Sequence, residues 1–171
     1  MVNYVIAGTR KADSNSAQRG FTLVELMITL AVAAILMSLA VPSFTSTIKN
    51  NRLTTQANDL IATLNYARSE AIRRGANVSV DSNDASANWH NGWVVKDSSN
   101  NILRNHQAFE GSSTLVAASS VSSLSYRSTG FLSGSSAITF TLCDDRSGET
   151  GRTISISLTG RPSVSNYTCD S

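Results

Sequence analysis

Residues 19–41 read RGFTLVELMITLAVAAILMSLAV, an apolar run with a single charge, Glu25, directly behind an Arg-Gly pair. At about 1.5 Å per residue, Phe21–Val41 makes a helix of ~31 Å, which matches the ~30 Å hydrocarbon core of a bilayer. The run is therefore predicted to be a membrane-spanning helix near the N-terminus. A carboxylate inside such a helix costs roughly 2.5–3.5 kcal/mol near its centre, so Glu25 needs a reason. Three readings compete. A cleavable secretory signal would end at Ser38-Leu39-Ala40, but such signals have apolar regions of only ~7–15 residues and no acid. A plain signal anchor would let Glu25 reach the interface. Cleavage between Gly20 and Phe21 would keep the helix and place a new amino terminus about one turn from Glu25. A free α-amine is largely cationic at neutral pH and is a natural partner for that carboxylate, from the same chain or a neighbouring one.

The stretch Arg19-Gly20-Phe21-Thr22-Leu23-Val24-Glu25-Leu26, followed by the apolar run and Pro42, closely resembles the class III leader and N-terminus of type IV pilins and type II secretion pseudopilins. The resemblance implies that a prepilin peptidase cleaves after Gly20 and N-methylates Phe21. It also implies that Glu25 pairs with the Phe21 amine of a neighbouring subunit during assembly. Leu60–Gly75 (LIATLNYARSEAIRRG) and the pair Gly160-Arg161 further resemble the GspH/FimT branch of minor pilins.

The division of the chain follows. Residues 1–20 are read as the leader, 21–75 as the N-terminal helix (21–41 spanning, 42–75 amphipathic) and 76–171 as a periplasmic β-domain. The formal charge of +2 is carried by the leader. It holds Arg10, Lys11, Arg19 and Asp13, three of the 14 basic and one of the 12 acidic residues, and its removal leaves 11 of each. Bulk charge thus gives no argument for nucleic acid. The basic leader agrees with a cytoplasmic N-terminus, and so with an inner-membrane protein whose C-terminal part is periplasmic.

Pro42 is expected to kink the helix. Beyond it, Phe44, Ile48, Leu53, Ala57, Leu60, Ile61, Leu64, Ala67, Ala71 and Ile72 recur at gaps that keep one stripe on one face. Arg68, Arg73 and Arg74 crowd the C-terminal end, where cations complement the helix dipole; Gly75 suits a stop. Those arginines read as a solvated face, and Glu70 as their exposed partner.

From Ala76 the pattern changes to period two. Gly92–Val95 and Ile102–Arg104 read as short strands. Ile138-Thr139-Phe140-Thr141-Leu142 and Ile154-Ser155-Ile156-Ser157-Leu158 alternate apolar and hydroxylic residues, with a turn-rich hairpin loop at Asp144–Gly151. Asp81–Asn91 and Gly111–Ser123 read as loops or edge strands. The expected fold class is α+β and pilin-like: a long helix, transmembrane then amphipathic, packed on a small antiparallel β-sheet or sandwich. Cys143 and Cys169, in an exported chain, are expected to form a disulfide that ties the C-terminal tail to an interior strand; two buried thiols are the alternative.

Little chemistry is visible. His90 and His106 stand in no metalloprotease or nucleophile pattern. Asp81-Ser82-Asn83-Asp84 opens like a calcium loop but lacks the glycine and glutamate that such loops need. The reading is a non-enzyme without metal or cofactor, whose partners are other pilin or pseudopilin subunits, a prepilin peptidase and the inner membrane. Incorporation into a type IV pilus or a type II secretion pseudopilus is expected, the long leader and the Gly160-Arg161 tail favouring the pilus. The alternative is a DNA-binding minor pilin for uptake in natural transformation. The FimT branch carries a C-terminal Gly-Arg-x-Arg contact, whereas here Gly160-Arg161-Pro162-Ser163 keeps only its first arginine. Arg161 and Arg152 are the candidate DNA contacts, with Arg146 and Arg127 near Tyr126 or Tyr167 as support.

Overall fold

A computed structural model describes residues 20–170. The leader, apart from Gly20, lies outside the described residues. The chain forms one helix, α1 (Leu23–Arg74), and eight strands. Thr22 starts α1 by accepting the Glu25 backbone N–H on Oγ1 at 3.2 Å, which satisfies one of the orphan donors of the first turn. Within the apolar stretch, the Thr29 and Ser38 hydroxyls donate to the carbonyls of Leu26 and Ile35. Both hydroxyls are thereby satisfied inside their own helix, as a bilayer requires. The helix continues through position 42, so Pro42 does not end it. At the far end Gly75 adopts φ +64°, and Ala76 N–H donates to Ala71 O while Gly75 N–H donates to Ile72 O. This pairing is a Schellman stop, and the left-handed residue it requires is glycine.

The chain divides into two compact units between Pro42 and Ser43. The packing boundary therefore falls inside the helix, and the second half of α1 belongs with the strands. In that unit Leu53, Ala57, Leu60, Leu64, Ala67 and Ala71 are all buried, at gaps of three and four residues that hold one face of the helix against the sheets. Phe44, Ile48 and Ile72 stay exposed, so the apolar stripe read from the sequence is longer than the face that packs.

The strands are β1 (Val78–Ser82), β2 (Trp93–Asp97), β3 (Ile102–His106), β4 (Thr114–Ala117), β5 (Ser123–Tyr126), β6 (Ile138–Cys143), β7 (Thr150–Ile156) and β8 (Pro162–Thr168). They form two antiparallel sheets, ordered β3-β2-β1-β5 and β4-β6-β7-β8. Period two is why they bury one face: Val78, Val80, Trp93 and Val95 in one sheet, Phe140, Leu142, Ile154 and Ile156 in the other. Two tryptophans join the layers. Trp89 meets Phe140 edge-on at 5.0 Å and donates its indole N–H to Val121 O; Trp93 donates to Thr63 Oγ1 of α1 at 3.2 Å. Each wide apolar ring is buried with its one polar atom satisfied.

Two expectations are corrected. The C-terminal tail is itself a strand, β8, paired with β7 along its whole length from Ile156↔Pro162 to Thr150↔Thr168. Its residues Ser163–Thr168 are all exposed. An edge strand held by backbone bonds carries almost no apolar signal, so periodicity passes over it. The strand predicted at Ile154–Leu158 stops at Ile156, because Ser157–Gly160 turns the hairpin and leaves Leu158 exposed.

Leu60 is fully buried at the centre of the helix face. Leu60→Ala should lower unfolding stability by about 2–5 kcal/mol, read as a lower denaturation midpoint in chemical unfolding, because the rigid sheets cannot close on the void.

Candidate functional site

Three groups of residues carry functional potential. The first is the helix start. Gly20, Phe21 and Glu25 are all exposed, Phe21 at 83%. A Cβ on Gly20 would meet nothing within 4 Å among the described residues, so packing against them does not demand its glycine. Glu25 sits in the first turn, where the helix dipole favours a carboxylate, and its backbone N–H, not its side chain, is used in the cap. The carboxylate is left facing outward on a helix whose flanking residues are apolar and exposed. Along this segment none of the most apolar 18-residue window is buried in the structure. It is long and apolar enough to cross a membrane by length and composition.

The second group is the disulfide. Cys143, ending β6, and Cys169, just beyond β8, are bonded, with their Cα atoms 5.9 Å apart. Strand β7 lies between β6 and β8, so the bridge passes over it at Gly151. A Cβ there would collide with Cys169 Sγ and Leu142 O. Position 151 must be glycine because the disulfide occupies the space a side chain would need. Over 26 residues of sequence the closed loop is worth up to ~3.5 kcal/mol on the chain-entropy estimate.

The third group is the arginines. Arg161 ends the β7–β8 turn and is exposed, its backbone N–H donating to Ser157 Oγ at 3.3 Å. Arg152 lies near the opposite end of β7, donating to Gly151 O and to Thr54 Oγ1 of α1. Four residues of strand separate Arg152 from Ile156, beside the turn, about 13 Å at the usual rise. The structure therefore does not bring Arg161 and Arg152 together. Arg146 is occupied as well: it grips Asp144 and donates to Asn50 Oδ1 at 2.7 Å. Burial alone would raise the Asp144 carboxyl, but the Arg146 hydrogen bonds outweigh it and hold the group below its ordinary value.

The turn that ends at Arg161 adjoins the turn that begins at Arg127. The turns 127–131 and 157–161 pack against each other at two left-handed glycines, Gly130 and Gly160. A Cβ on Gly160 would strike Gly130 O and approach Tyr126 Cε1 to 3.0 Å, and Arg68 of α1 donates to Gly130 O at 2.9 Å. Tyr126 is fully buried and burial pushes its hydroxyl up, so it offers no ring to a ligand; Tyr167 is 40% exposed on β8. Phe131, 49% exposed, is the aromatic of the first of these turns, its carbonyl accepting the Arg127 backbone N–H, and sequence reasoning missed it. Nothing in the period of residues 127–131 marks it, since the contact is made by turns distant in sequence.

Elsewhere the polar residues serve structure. His106 stacks on Trp93 with ring centroids 4.0 Å apart. Asp84 is held below its ordinary value by hydrogen bonds from Asn88, Ser86 and Asn91, which organise its loop. Among the described residues no group of three His, Cys, Asp or Glu is arranged to hold a metal ion.

The reading of Glu70 as an exposed partner is corrected. Its side chain is 11% exposed and accepts from Arg73 at 2.6 Å and from Arg74 at 2.8 Å, while Arg74 also reaches Asp97 Oδ2 at 3.3 Å. The Arg73 hydrogen bonds first, and those of Arg74 second, lower the Glu70 carboxyl to about 2. Its folded value lies below its unfolded one, so it stabilises the fold above about pH 4.5 and loses that contribution as pH falls towards 2. Thermal melts of the wild type and Glu70→Gln should therefore converge as pH drops through that window; a constant gap would remove the assignment.

Fold and N-terminus together define a pilin-type subunit: one helix with an apolar, uncovered beginning and an antiparallel β-unit packed on its second half. Profile comparison agrees. The prokaryotic N-terminal methylation motif matches residues 15–41, and the family described as type II transport protein GspH matches residues 56–160. Among solved structures, the type IV minor pilin FimU of Pseudomonas aeruginosa PAO1 is similar in two crystal forms. One is 30% identical with a TM-score of 0.62, covering 68% of this chain and 90% of FimU. The other is 29% identical with a TM-score of 0.58, covering 66% and 91%. No curated protein sequence matches. The chain belongs to the GspH family of minor pilins and pseudopilins, which are structural subunits.

Proposed function

We propose that this chain is a filament subunit anchored in the inner membrane by residues 21–41, with residues 76–171 in the periplasm, and that it enters a type IV pilus or type II secretion pseudopilus and supports its assembly. A prepilin peptidase removes residues 1–20 by cutting between Gly20 and Phe21 and methylates the new amine. Glu25 then accepts the Phe21 amine of an adjacent subunit as the helices bundle. The observation that carries this reading is the helix start: a lone exposed carboxylate four residues past Phe21, on an apolar stretch none of whose most apolar window is buried among the described residues. In a bilayer an unpaired carboxylate is costly, so a partner amine makes docking of a second helix favourable.

Two variants test it. Glu25→Ala should stay membrane-inserted yet be depleted from sheared filaments; normal recovery there would refute the pairing. Gly20→Ser should leave the leader attached. Position 20 has room for a side chain, so that result would report peptidase recognition and not misfolding. Mass spectrometry finding a mature chain that begins at Phe21 in this variant would overturn the cleavage assignment.

A second reading, DNA capture during uptake, is favoured by one observation: Arg161 and Arg127 are exposed on adjoining turns beside Phe131. Phosphate binding grows with the number of cations neutralised, and two give only a shallow dependence on salt. Retention of an oligonucleotide by the full chain, lost in Arg161→Ala and unchanged in Arg152→Ala, would support capture. No retention even at low salt would remove it.

A further inference from the structure

A groove in the β-bearing unit lies apart from the three groups of residues above. It runs between the segment 118–123, which leads from β4 into β5, and the segment 133–139, which leads into β6. Its volume is about 420 Å³, within the range of roughly 300–1,000 Å³ usual for small-ligand sites. Among the described residues six hydroxylic side chains line it, Ser119, Ser123, Ser133, Ser135, Ser136 and Thr139, together with four aliphatic ones. None of these ten is ionisable and none is aromatic. Val121 and Ile138 supply the apolar part and pack on the core. Ser123 donates to Asp81, which Lys96 balances at 3.1 Å, so the nearby carboxylate is already neutralised. Ser133 Oγ is closed to bulk water and has no hydrogen-bond partner among the described residues. Hydroxyls so enclosed are ordinarily paired, which leaves this one open to a ligand atom. Ser119 holds φ +63°, in the left-handed region that favours glycine, so a hydroxyl is kept at the groove at some cost in strain.

Thr139 belongs to a second surface as well. Phe140, Leu142, Ile154 and Ile156 are buried, so period two puts Thr139, Thr141, Thr153 and Ser155 on the opposite face of their sheet. The register carries the rows across β8, as Thr139↔Ser155↔Ser163 and Thr141↔Thr153↔Ser165. Thr139 Oγ1 and Ser155 Oγ are 3.4 Å apart in the first row. Hydroxyls therefore recur about 4.8 Å apart across strands and about 6.7 Å apart along them. Among the described residues no Asp, Glu, Lys, Arg or His stands on this face of β6, β7 or β8. Its aromatic is Tyr167, 40% exposed and about 13 Å along β8 from Ser163.

We propose that the groove and the hydroxyl face that continues from Thr139 bind a neutral polysaccharide chain. Each serine or threonine hydroxyl both donates and accepts, as a sugar hydroxyl does, so the two surfaces match without any charge. The aliphatic part of the groove takes the C–H face of a ring, and Tyr167 offers the same contact at the far end of the sheet. A nucleic acid gains nothing here, because phosphate binding comes from cations and the site has none. An extended peptide finds no open ladder at the edge of β5. Ser133 N–H already donates to Ser125 O, and Leu132 bridges Tyr126. Polysaccharide binding adds a ligand to the assembly role and does not depend on it.

The test uses the full chain in micelles of a detergent without a sugar headgroup, and saturation-transfer NMR. The probes are hexasaccharides of β-1,4-linked glucose, β-1,4-linked N-acetylglucosamine and α-1,4-linked glucose, with the acidic hexamer of galacturonate and a single-stranded oligonucleotide for comparison. Transfer to the ring protons of at least one neutral hexasaccharide is expected. It should persist when ionic strength rises from about 0.01 M to about 1 M, because screening does not touch a neutral ligand. Thr139→Val should reduce it several-fold and Thr139→Ser should retain it, which separates a lost hydroxyl from a lost fold. Ser136→Trp, on an exposed segment of the groove, should also reduce it, whereas Arg161→Ala should leave it unchanged. No transfer to any neutral hexasaccharide, undiminished transfer in both Thr139→Val and Ser136→Trp, loss at high salt, or preference for galacturonate or the oligonucleotide would each overturn the proposal. Micelles need no filament, so these outcomes are independent of whether Glu25→Ala is depleted from sheared pili.

Discussion

A helix that must satisfy two different solvents constrains everything else in this molecule. Over its first half, thirteen large apolar side chains from Phe21 to Val41 are exposed. Leaving them in water would cost on the order of 20 kcal/mol, more than a domain of this size has to lose. They need a bilayer or neighbouring helices. The second half has a different surface, because its own sheets cover the Leu53–Ala71 face. The second half of the helix thus packs the β-unit, and the exposed apolar side chains of the first half are left for contacts outside the chain. The pilin-type subunit is built on this division.

The β-unit is held to the rod at places where side chains leave no slack. Trp93 reaches Thr63, Arg68 clasps the carbonyl of Gly130, Arg74 links Glu70 to Asp97, and Lys49 meets Asp145 at 2.7 Å. Three of the glycines sit where the packing leaves no room for a Cβ. Gly130 and Gly160 let two turns touch under Arg68, and Gly151 makes room for the disulfide across β7. The disulfide secures an edge strand that buries little and so contributes little hydrophobic stabilisation of its own. Backbone pairing and a covalent bridge do for β8 what apolar contacts do for β6 and β7.

Electrostatics serve the same packing. Arg73 and Arg74 lower the Glu70 carboxyl to about 2, Asn101 hydrogen bonds hold Asp97 below its ordinary value, and, against the burial that would raise it, Arg146 holds Asp144 below its own. Membership of the GspH family and likeness to the minor pilin FimU place the chain in a family of filament subunits.

Local order along the chain settled a great deal without any tertiary information. The length and purity of residues 21–41, the position of Glu25 after Gly20-Phe21, the helical stripe through Ala71, the Gly75 stop and the alternation of β6 and β7 are all short-range patterns. Such patterns follow from the periods of helix and strand, so one sequence displays them. Only the folded chain decided what depends on contacts between distant residues. It buried Glu70 between two arginines and made a strand of the polar tail. It separated Arg152 from Arg161, and set the turn 157–161 against the turn 127–131. No periodicity encodes those outcomes, because they arise where turns far apart in sequence are forced together by the packing of two sheets on one helix.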